Sequence, residues 1–270
     1  MKQRRMDYHL HTCHSMDGRQ TVDELCRRMA ELGVEEICLT EHIEPGHPDA
    51  SVDIPPKWPV YMEEIRQARE KYPRLTIRAG VEIGDNPAIR DQIKADLDDL
   101  PLDFRLLSLH LVNGVDPYDR QRYFAGKTRS QAYREYAEAK AESILAWQDF
   151  DSVAHIGYAA KFSAFTGPEQ ALVYQDAPDA FDAILRHIIN LGKCLEVNTS
   201  GFASTGDTFA HSTILRRYIE LGGECFTFGS DSHAVDRDYA DIERAKDMVR
   251  ALGGKYQASF DQRRMTLWRI

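Results

Sequence analysis

Seven short runs rich in β-branched and apolar residues alternate along the chain with longer segments of helical period, and this alternation most limits the folds open to it. The runs cover residues 6–12, 36–42, 76–84, 105–112, 152–157, 194–200 and 225–230. A helical pattern follows each. Thr21-Val22-Asp23-Glu24 opens the first as a capping box, in which a Thr side chain and a Glu three residues on satisfy each other's free amides. Leu25, Met29 and Leu32 then share one face, and Gly33 stops the helix. Leu191-Gly192 and Leu221-Gly222-Gly223 end later helices in the same way. Strand and helix in steady alternation call for parallel strands joined by crossovers. Seven such units with no break in composition favour a single domain over residues 1–270, a closed or nearly closed α/β barrel, with a doubly wound open sheet as the alternative. In either architecture the loops leaving the C-terminal strand ends form the functional face.

Composition narrows the partners. Hydrophobic residues at 43% and charged residues at 29% are ordinary for a globular protein. A formal charge of −9 argues against a nucleic-acid surface, which needs clustered Lys and Arg. No apolar stretch approaches the ~18 residues of a membrane span. The start, Met1-Lys2-Gln3-Arg4-Arg5, is basic but runs into Asp7 and His9 instead of an apolar segment, unlike a secretory signal. Five cysteines, an odd number without a Cys-x-x-Cys pair, point to a reducing compartment. The expectation is a cytoplasmic protein with a small-molecule partner, no nucleic acid and no membrane.

Six of the ten histidines fall at the C-terminal ends of proposed strands: His9 and His11 on the first, His42 on the second, His110 on the fourth, His155 on the fifth and His233 just past the seventh. Glu82 ends the third strand and Asp231 the seventh. One histidine beside a strand is usually a hydrogen-bonded core residue. Six at the same end of one barrel, joined by two carboxylates, read instead as a metal site. Neutral imidazoles and anionic carboxylates are the donors a hydrolytic divalent centre needs, with positions left open for water and substrate. His9 and His11 are two apart, so on a regular strand both point to one face and can hold one ion. A carboxylate such as Glu82 can bridge two ions about 4 Å apart. A hydroxide between them is then the expected nucleophile, because metal binding lowers the pKa of water from about 15.7 toward 7.

In chain order, Tyr8-His9-Leu10-His11-Thr12, Thr40-Glu41-His42, Gly80-Val81-Glu82-Ile83-Gly84, Ser108-Leu109-His110, Ala154-His155 and Gly229-Ser230-Asp231-Ser232-His233 resemble the polymerase and histidinol phosphatase (PHP) superfamily over nearly the whole chain. The resemblance implies a distorted (β/α)7 barrel, TIM-like in plan, and two or three divalent ions; His-rich sites of mixed nitrogen and oxygen donors accept zinc, manganese, iron or cobalt alike. Carried over position by position, it implies a first ion on His9, His11, Glu82 and Asp231 and a second on Glu82, His110 and His155. A third would use His42, His233 and the residue eight after His9, often a His in the family and here Asp17. The segments Ser108 to Asp116, Leu195 to Gly201 and Glu220 to His233 are similar to the monofunctional histidinol-phosphate phosphatase branch. That implies a phosphomonoesterase hydrolysing L-histidinol phosphate in histidine biosynthesis. Another PHP phosphoesterase, acting on a different small ester, a nucleotide or phosphotyrosine, is the rival of the same chemistry; a non-catalytic metal-binding domain is the rival of another class.

Substrate phosphate needs cationic donors besides the ions. Lys161, six residues past His155, is the first candidate and Arg19 the second, with Tyr158 and Asn198 as expected pocket walls. Glu82 is the central catalytic carboxylate, and His233 or Asp231 is the expected general acid for the leaving alkoxide. His14, His47, His187 and His211 lack strand-end positions and are set aside; Cys13 is read as a small buried filler.

Overall fold

A computed structural model describes residues 3–235 and 238–270, so Met1 and Lys2 of the basic start lie outside the described residues. The chain runs β1 (Met6–Leu10), α1 (Val22–Glu31), β2 (Glu36–Ile43), α2 (Trp58–Lys71), β3 (Thr76–Gly84), α3 (Arg90–Asp98), β4 (Phe104–Ser108), α4 (Arg120–Tyr123) and α5 (Arg129–Leu145). It continues through β5 (Ser152–Val153), α6 (Pro178–Asn190), β6 (Cys194–Asn198), α7 (Gly201–Thr205), α8 (Ser212–Glu220), β7 (Cys225–Gly229), α9 (Ala240–Ala251), β8 (Tyr256–Asp261) and β9 (Arg264–Arg269). Three short 3-10 turns follow β5. Thr21 caps α1 as the sequence predicts, its side chain accepting from the Glu24 amide while Glu24 returns the bond.

The nine strands among the described residues form one sheet in chain order, parallel from β1 to β8, with β9 antiparallel to β8. The sheet curls until β1 meets the end of β7 in a parallel bridge between Leu10 and Ser232. There the Asp231 amide donates to His9 O and the His11 amide to Ser232 O, each at 2.9 Å. The seven-unit barrel thus closes at its C-terminal mouth. At the opposite end β7 pairs with β8 instead, which admits the β8–β9 hairpin beneath the barrel. Two strands therefore lie beyond the seven expected, and the fifth run forms only Ser152–Val153.

Ile37 and Leu39, Val81 and Ile83, Leu107 and Leu109, and Leu195 and Val197 join the large core cluster that includes the helix residues. Their alternating neighbours turn inward, as the two-residue period of a strand requires. Low in the barrel these are Met6, Tyr8, Cys38, Phe104, Leu106, Ala154 and Cys194, packed on Ala258 and Phe260 of the hairpin. Strand β1 breaks the parity. Its register against β2 slips between Asp7 and Leu10, where three steps on β1 match two on β2. Such a bulge turns side chains beyond it to the other face. Tyr8 thus lies in the floor cluster, whereas His9 and His11 carry the mouth.

The hairpin turn at Gln262 and Arg263 has left-handed φ values of 48° and 66° without a glycine or asparagine. It is held from outside. Gln262 N donates to Asp103 Oδ1 at 3.0 Å, and the Arg263 guanidinium donates to Asp149 and Asp151. No helix among the described residues is long and apolar enough to cross a membrane.

Candidate metal centre

Glu82 stands at the middle of the mouth, fully buried at the end of β3. The parallel register sets His42 of β2 directly beside it. One carboxylate oxygen, Oε2, lies 3.2 Å from His9 Nε2, 3.5 Å from His11 Nε2 and 3.0 Å from His42 Nδ1. The other, Oε1, lies 2.7 Å from His155 Nε2 and 3.4 Å from His110 Nε2, and accepts a short bond from the Ser108 hydroxyl. Asp231 Oδ1 closes the first group at 3.7 Å from His9 Nε2 and 3.6 Å from His11 Nε2. Asp231 reaches this place through a left-handed φ of 55°, a conformation aspartate tolerates better than most residues. Gly229 is required two residues earlier: a Cβ there would come within 2.3 Å of His9 Cβ and 2.5 Å of Glu196 Oε1.

Asp17, His42 and His233 also come together. Asp17 Oδ2 is 3.1 Å from His233 Nε2 and its Oδ1 is 3.8 Å from His42 Nε2. His11 stacks between His42 and His233, with ring centroids 4.2 Å from each. Ligand atoms within 4.8 Å of one another form four groups: His9, His11 and Asp231; His9, Glu82 and His155; His42, Glu82 and His110; and His11, His42 and His233. His42 is thus as close to the Glu82–His110 group as to its expected partners.

These residues fit divalent cations. His11 Nε2, His42 Nδ1 and His233 Nε2 are buried ring nitrogens that make no well-directed hydrogen bond, although carboxylate oxygens lie 3.5, 3.0 and 3.1 Å from them, and buried nitrogens converging on carboxylates in this way are what a cation would satisfy. Burial pulls the His9 imidazole down, but Glu196, Glu82 and Asp231 outweigh it and hold it well above its usual value. His110 is raised against burial by Glu44 and Glu82. Burial, with His42 and His233 nearby, pushes His11 well below its usual range. Burial would raise Glu82, yet His9, His42, His155 and His110 hold it well below the carboxylate range. Cations bound here would compete with protons for these imidazoles, since a ligating imidazole must be neutral.

Behind the ligands stands a second layer absent from the sequence reading. The Glu196 carboxylate of β6 accepts from His9 Nδ1 at 2.5 Å and from the His155 amide at 2.6 Å. Glu44 accepts from His110 Nδ1 at 2.6 Å. Each fixes which nitrogen its imidazole turns toward the centre. Both carried a signal: Glu44 repeats His42 at the strand period, and Glu196 is a lone charge in an apolar strand. Gly84 leaves room for Glu44, since a Cβ there would meet Glu44 Oε2 at 2.0 Å.

A cleft of about 640 Å³ opens above the cluster, lined in part by Asp17, Arg19, Tyr158, Lys161, Asp231 and His233. Lys161 Nζ is 3.0 Å from Asp231 Oδ2. The Tyr158 ring lies against His110 and His155, and its hydroxyl donates to Asp116 Oδ1 at 3.1 Å. Three expectations change. Asn198 is fully buried and faces His9, Glu196 and Ser200 instead of the cleft, because hydrogen bonds to Glu196 and Ser200 hold its side chain there. His47, set aside from the sequence, lines the cleft wall because the loop after β2 folds over it. Cys13 is exposed, not buried, since the chain leaves the barrel after Thr12. His14, His187 and His211 do stand apart, bonded to Glu64, Trp147 O and Thr213.

The family model described as "PHP domain" matches residues 7–200. The histidinol-phosphatase of Lactococcus lactis subsp. lactis (strain IL1403) is 27% identical over 258 residues, covering 95% of this chain and 94% of that protein. A Clostridium acetobutylicum protein named "Probable histidinol-phosphatase" is 29% identical over 232 residues, covering 85% and 87%. Among solved structures, the Lactococcus lactis histidinol phosphate phosphatase complexed with zinc, L-histidinol and phosphate superposes with a TM-score of 0.90 at 27% identity, covering 97% of this chain and 99% of that one.

Proposed function

The chain belongs to the PHP domain family, and from that premise we propose that it is a metal-dependent phosphomonoesterase that hydrolyses L-histidinol phosphate to L-histidinol and phosphate. Glu82 carries the reading: one buried carboxylate presents each of its oxygens to a separate set of imidazoles. His9, His11, Glu82 and Asp231 would hold one ion, Glu82, His110 and His155 a second, and Asp17, His42 and His233 a third. Divalent cations bound there supply Lewis acidity to the phosphoryl oxygens and an activated water. Lys161 and Arg19, which line the cleft wall, would supply positive charge to the remaining phosphate oxygens.

Protonating the leaving alkoxide would fall to His233 rather than Asp231 where the third ion is not bound, because His233 Nε2 cannot both hold an ion and give a proton. Burial would raise the Asp231 carboxyl, but Lys161, His9 and His233 hold it well below the carboxylate range, so at neutral pH it has no proton to give. His233 Nδ1 is tied to Asp231 O at 2.9 Å, which aims the opposite ring edge into the mouth. Farther out, Asp116 sits with Tyr118, Tyr158 and Phe162 on the cleft wall. An acidic and aromatic wall suits the ammonium and imidazole of an amino-alcohol phosphate, and the Lactococcus lactis relative is one that takes up L-histidinol and phosphate.

Steady-state kinetics of the zinc-loaded protein over a panel of phosphate esters tests the reading. L-histidinol phosphate should lead by at least about tenfold in kcat/KM, the low end of the discrimination that pocket contacts achieve. Parity with nucleotides or phosphotyrosine would sink the substrate and leave the phosphatase; no hydrolysis of any ester would sink both.

A further inference from the structure

On β2 the side chains of Ile37, Leu39 and Ile43 face the helices, and the two-residue period puts Glu41 on that same outer side of the wall, one place before the ligand His42. Glu41 is a fully buried carboxylate, and burying one is costly unless donors surround it. They come from the turn that follows β1. The Thr12 amide lies 3.1 Å from Glu41 Oε1 and 3.0 Å from Oε2, the Thr12 hydroxyl donates to Oε1 at 2.7 Å, and the Ser15 hydroxyl reaches Oε2 at 2.5 Å. Burial lifts the Glu41 carboxyl above its usual value, a cost that these donated bonds from Ser15 and Thr12 offset in part.

Ser15 is itself buried and has two further neighbours: His42 N donates to its Oγ at 3.0 Å, and His11 Nδ1 lies 3.2 Å away. A hydroxyl has one proton to give and two lone pairs with which to receive. The His42 amide can only donate, so it occupies one lone pair. One proton and one lone pair are left for Glu41 and His11. If the proton goes to Glu41, Ser15 receives from His11 Nδ1, and the His11 ring carries its proton there with Nε2 bare. If it goes to His11, the ring proton sits on Nε2, and Glu41 must be protonated to supply Ser15. The contacts favour the first arrangement. A separation of 2.5 Å is that of a hydroxyl donating to a carboxylate, and the Thr12 amide and hydroxyl already donate to the same group.

We propose that Ser15 is a positioning residue for the metal centre: its hydroxyl, oriented by Glu41 and the His42 amide, holds the His11 proton on Nδ1 and so leaves Nε2 free to face an ion. His11 Nε2 does point to the mouth, 3.5 Å from Glu82 Oε2 and 3.6 Å from Asp231 Oδ1. His9 and His110 have a carboxylate directly behind them, Glu196 and Glu44; His11 has one at a remove, through a hydroxyl. That intermediary does more than a carboxylate could. It also anchors the backbone at His42 and stands two residues before Asp17, so one side chain links the segments that carry three of the proposed ligands. The inference rests on the metal reading of the mouth, and part of its test needs no metal.

Nitrogen NMR of the ion-free full chain, labelled at histidine and held in mildly alkaline buffer, reads which ring nitrogen carries the proton; zinc titration against a chromophoric competitor reads affinity. In the wild type, His11 should be protonated at Nδ1. Ser15→Ala should spread that proton over both nitrogens and raise the zinc Kd about tenfold or more, while the His9 resonances, held by Glu196, stay in place. Glu41→Gln keeps the shape but offers Ser15 an amide donor, which turns the hydroxyl proton toward His11. It should weaken zinc binding at least as much as Ser15→Ala, whereas a carboxylate that only fills space would tolerate the exchange. A bare His11 Nδ1 in the wild type, an unchanged Kd in either variant, or His9 resonances that move as far as those of His11 would overturn the inference. The wild-type spectrum decides the proton's place even where a substitution fails to fold. Wild-type protein that takes up no zinc would instead overturn the metal reading, a failure that the ion-free spectrum keeps distinct from that of the relay.

Discussion

The two ends of one barrel are built from the same strands and follow opposite rules. At the mouth, inward positions carry His9, His11, His42, Glu82, His110 and His155, a polar set that repels or competes unless cations join it. At the floor, inward positions on the same strands carry Met6, Tyr8, Cys38, Phe104 and Leu106, sealed by Ala258 and Phe260 of the hairpin. Tyr8 and Phe104 meet edge to face with centroids 5.2 Å apart, and Phe104 lies 4.9 Å from Phe260. Below them Arg105, Asp149, Asp151 and Arg263 pair the hairpin to the barrel. The contrast teaches that stability and chemistry are separated along the strand axis by only a few residues, with the floor providing the packing that lets the mouth hold buried like charges together.

That separation can be broken from either side. The largest effect should come from Glu82→Ala, which removes the carboxylate shared by both sets of imidazoles: turnover should fall about a thousandfold or more while the fold survives, as read by kinetics and circular dichroism. Activity near wild type would show that Glu82 is no bridge. Phe260→Ala should do the reverse. Deleting this buried ring costs about 3–5 kcal/mol of stability in chemical denaturation, while kcat/KM of the folded fraction stays within about twofold because the site is distant. A loss of activity as large as that of Glu82→Ala would show that the two ends are coupled. Glu196→Gln lies between them and should have the smallest effect of the three. It leaves His9 in place but weakens what orients it, so zinc affinity should fall about 10- to 100-fold, with a melting temperature near wild type in the presence of excess zinc. An unchanged zinc Kd would place Glu196 outside the metal centre's supporting layer.

Much of the mouth was legible before any fold. Histidine and glutamate are the donors a divalent site requires, and their recurrence after apolar runs places them at strand ends without tertiary information. The supporting layer was less so: Glu44 and Glu196 carry local signals, but nothing local says which imidazole each will meet. The hairpin was not legible, because its turn is Gln262-Arg263 with no Asn-Gly or Asp-Gly signature, and what stabilises it is Asp103, Asp149 and Asp151 more than a hundred residues earlier in the chain.

What the sequence by itself determined is the alternation of strand and helix and the chemical type of the ligands, because hydrophobic period and donor chemistry are properties of neighbouring residues. What only the tertiary structure decided is which side of the barrel wall each residue faces and which distant charges share one field. His9 and His11 face inward beside Tyr8 only because β1 slips register against β2. Glu44 meets His110 and Glu196 meets His9 only because the closed sheet brings the ends of their strands together. Register and long-range electrostatics depend on contacts between segments far apart in sequence, and those exist only once the barrel has closed.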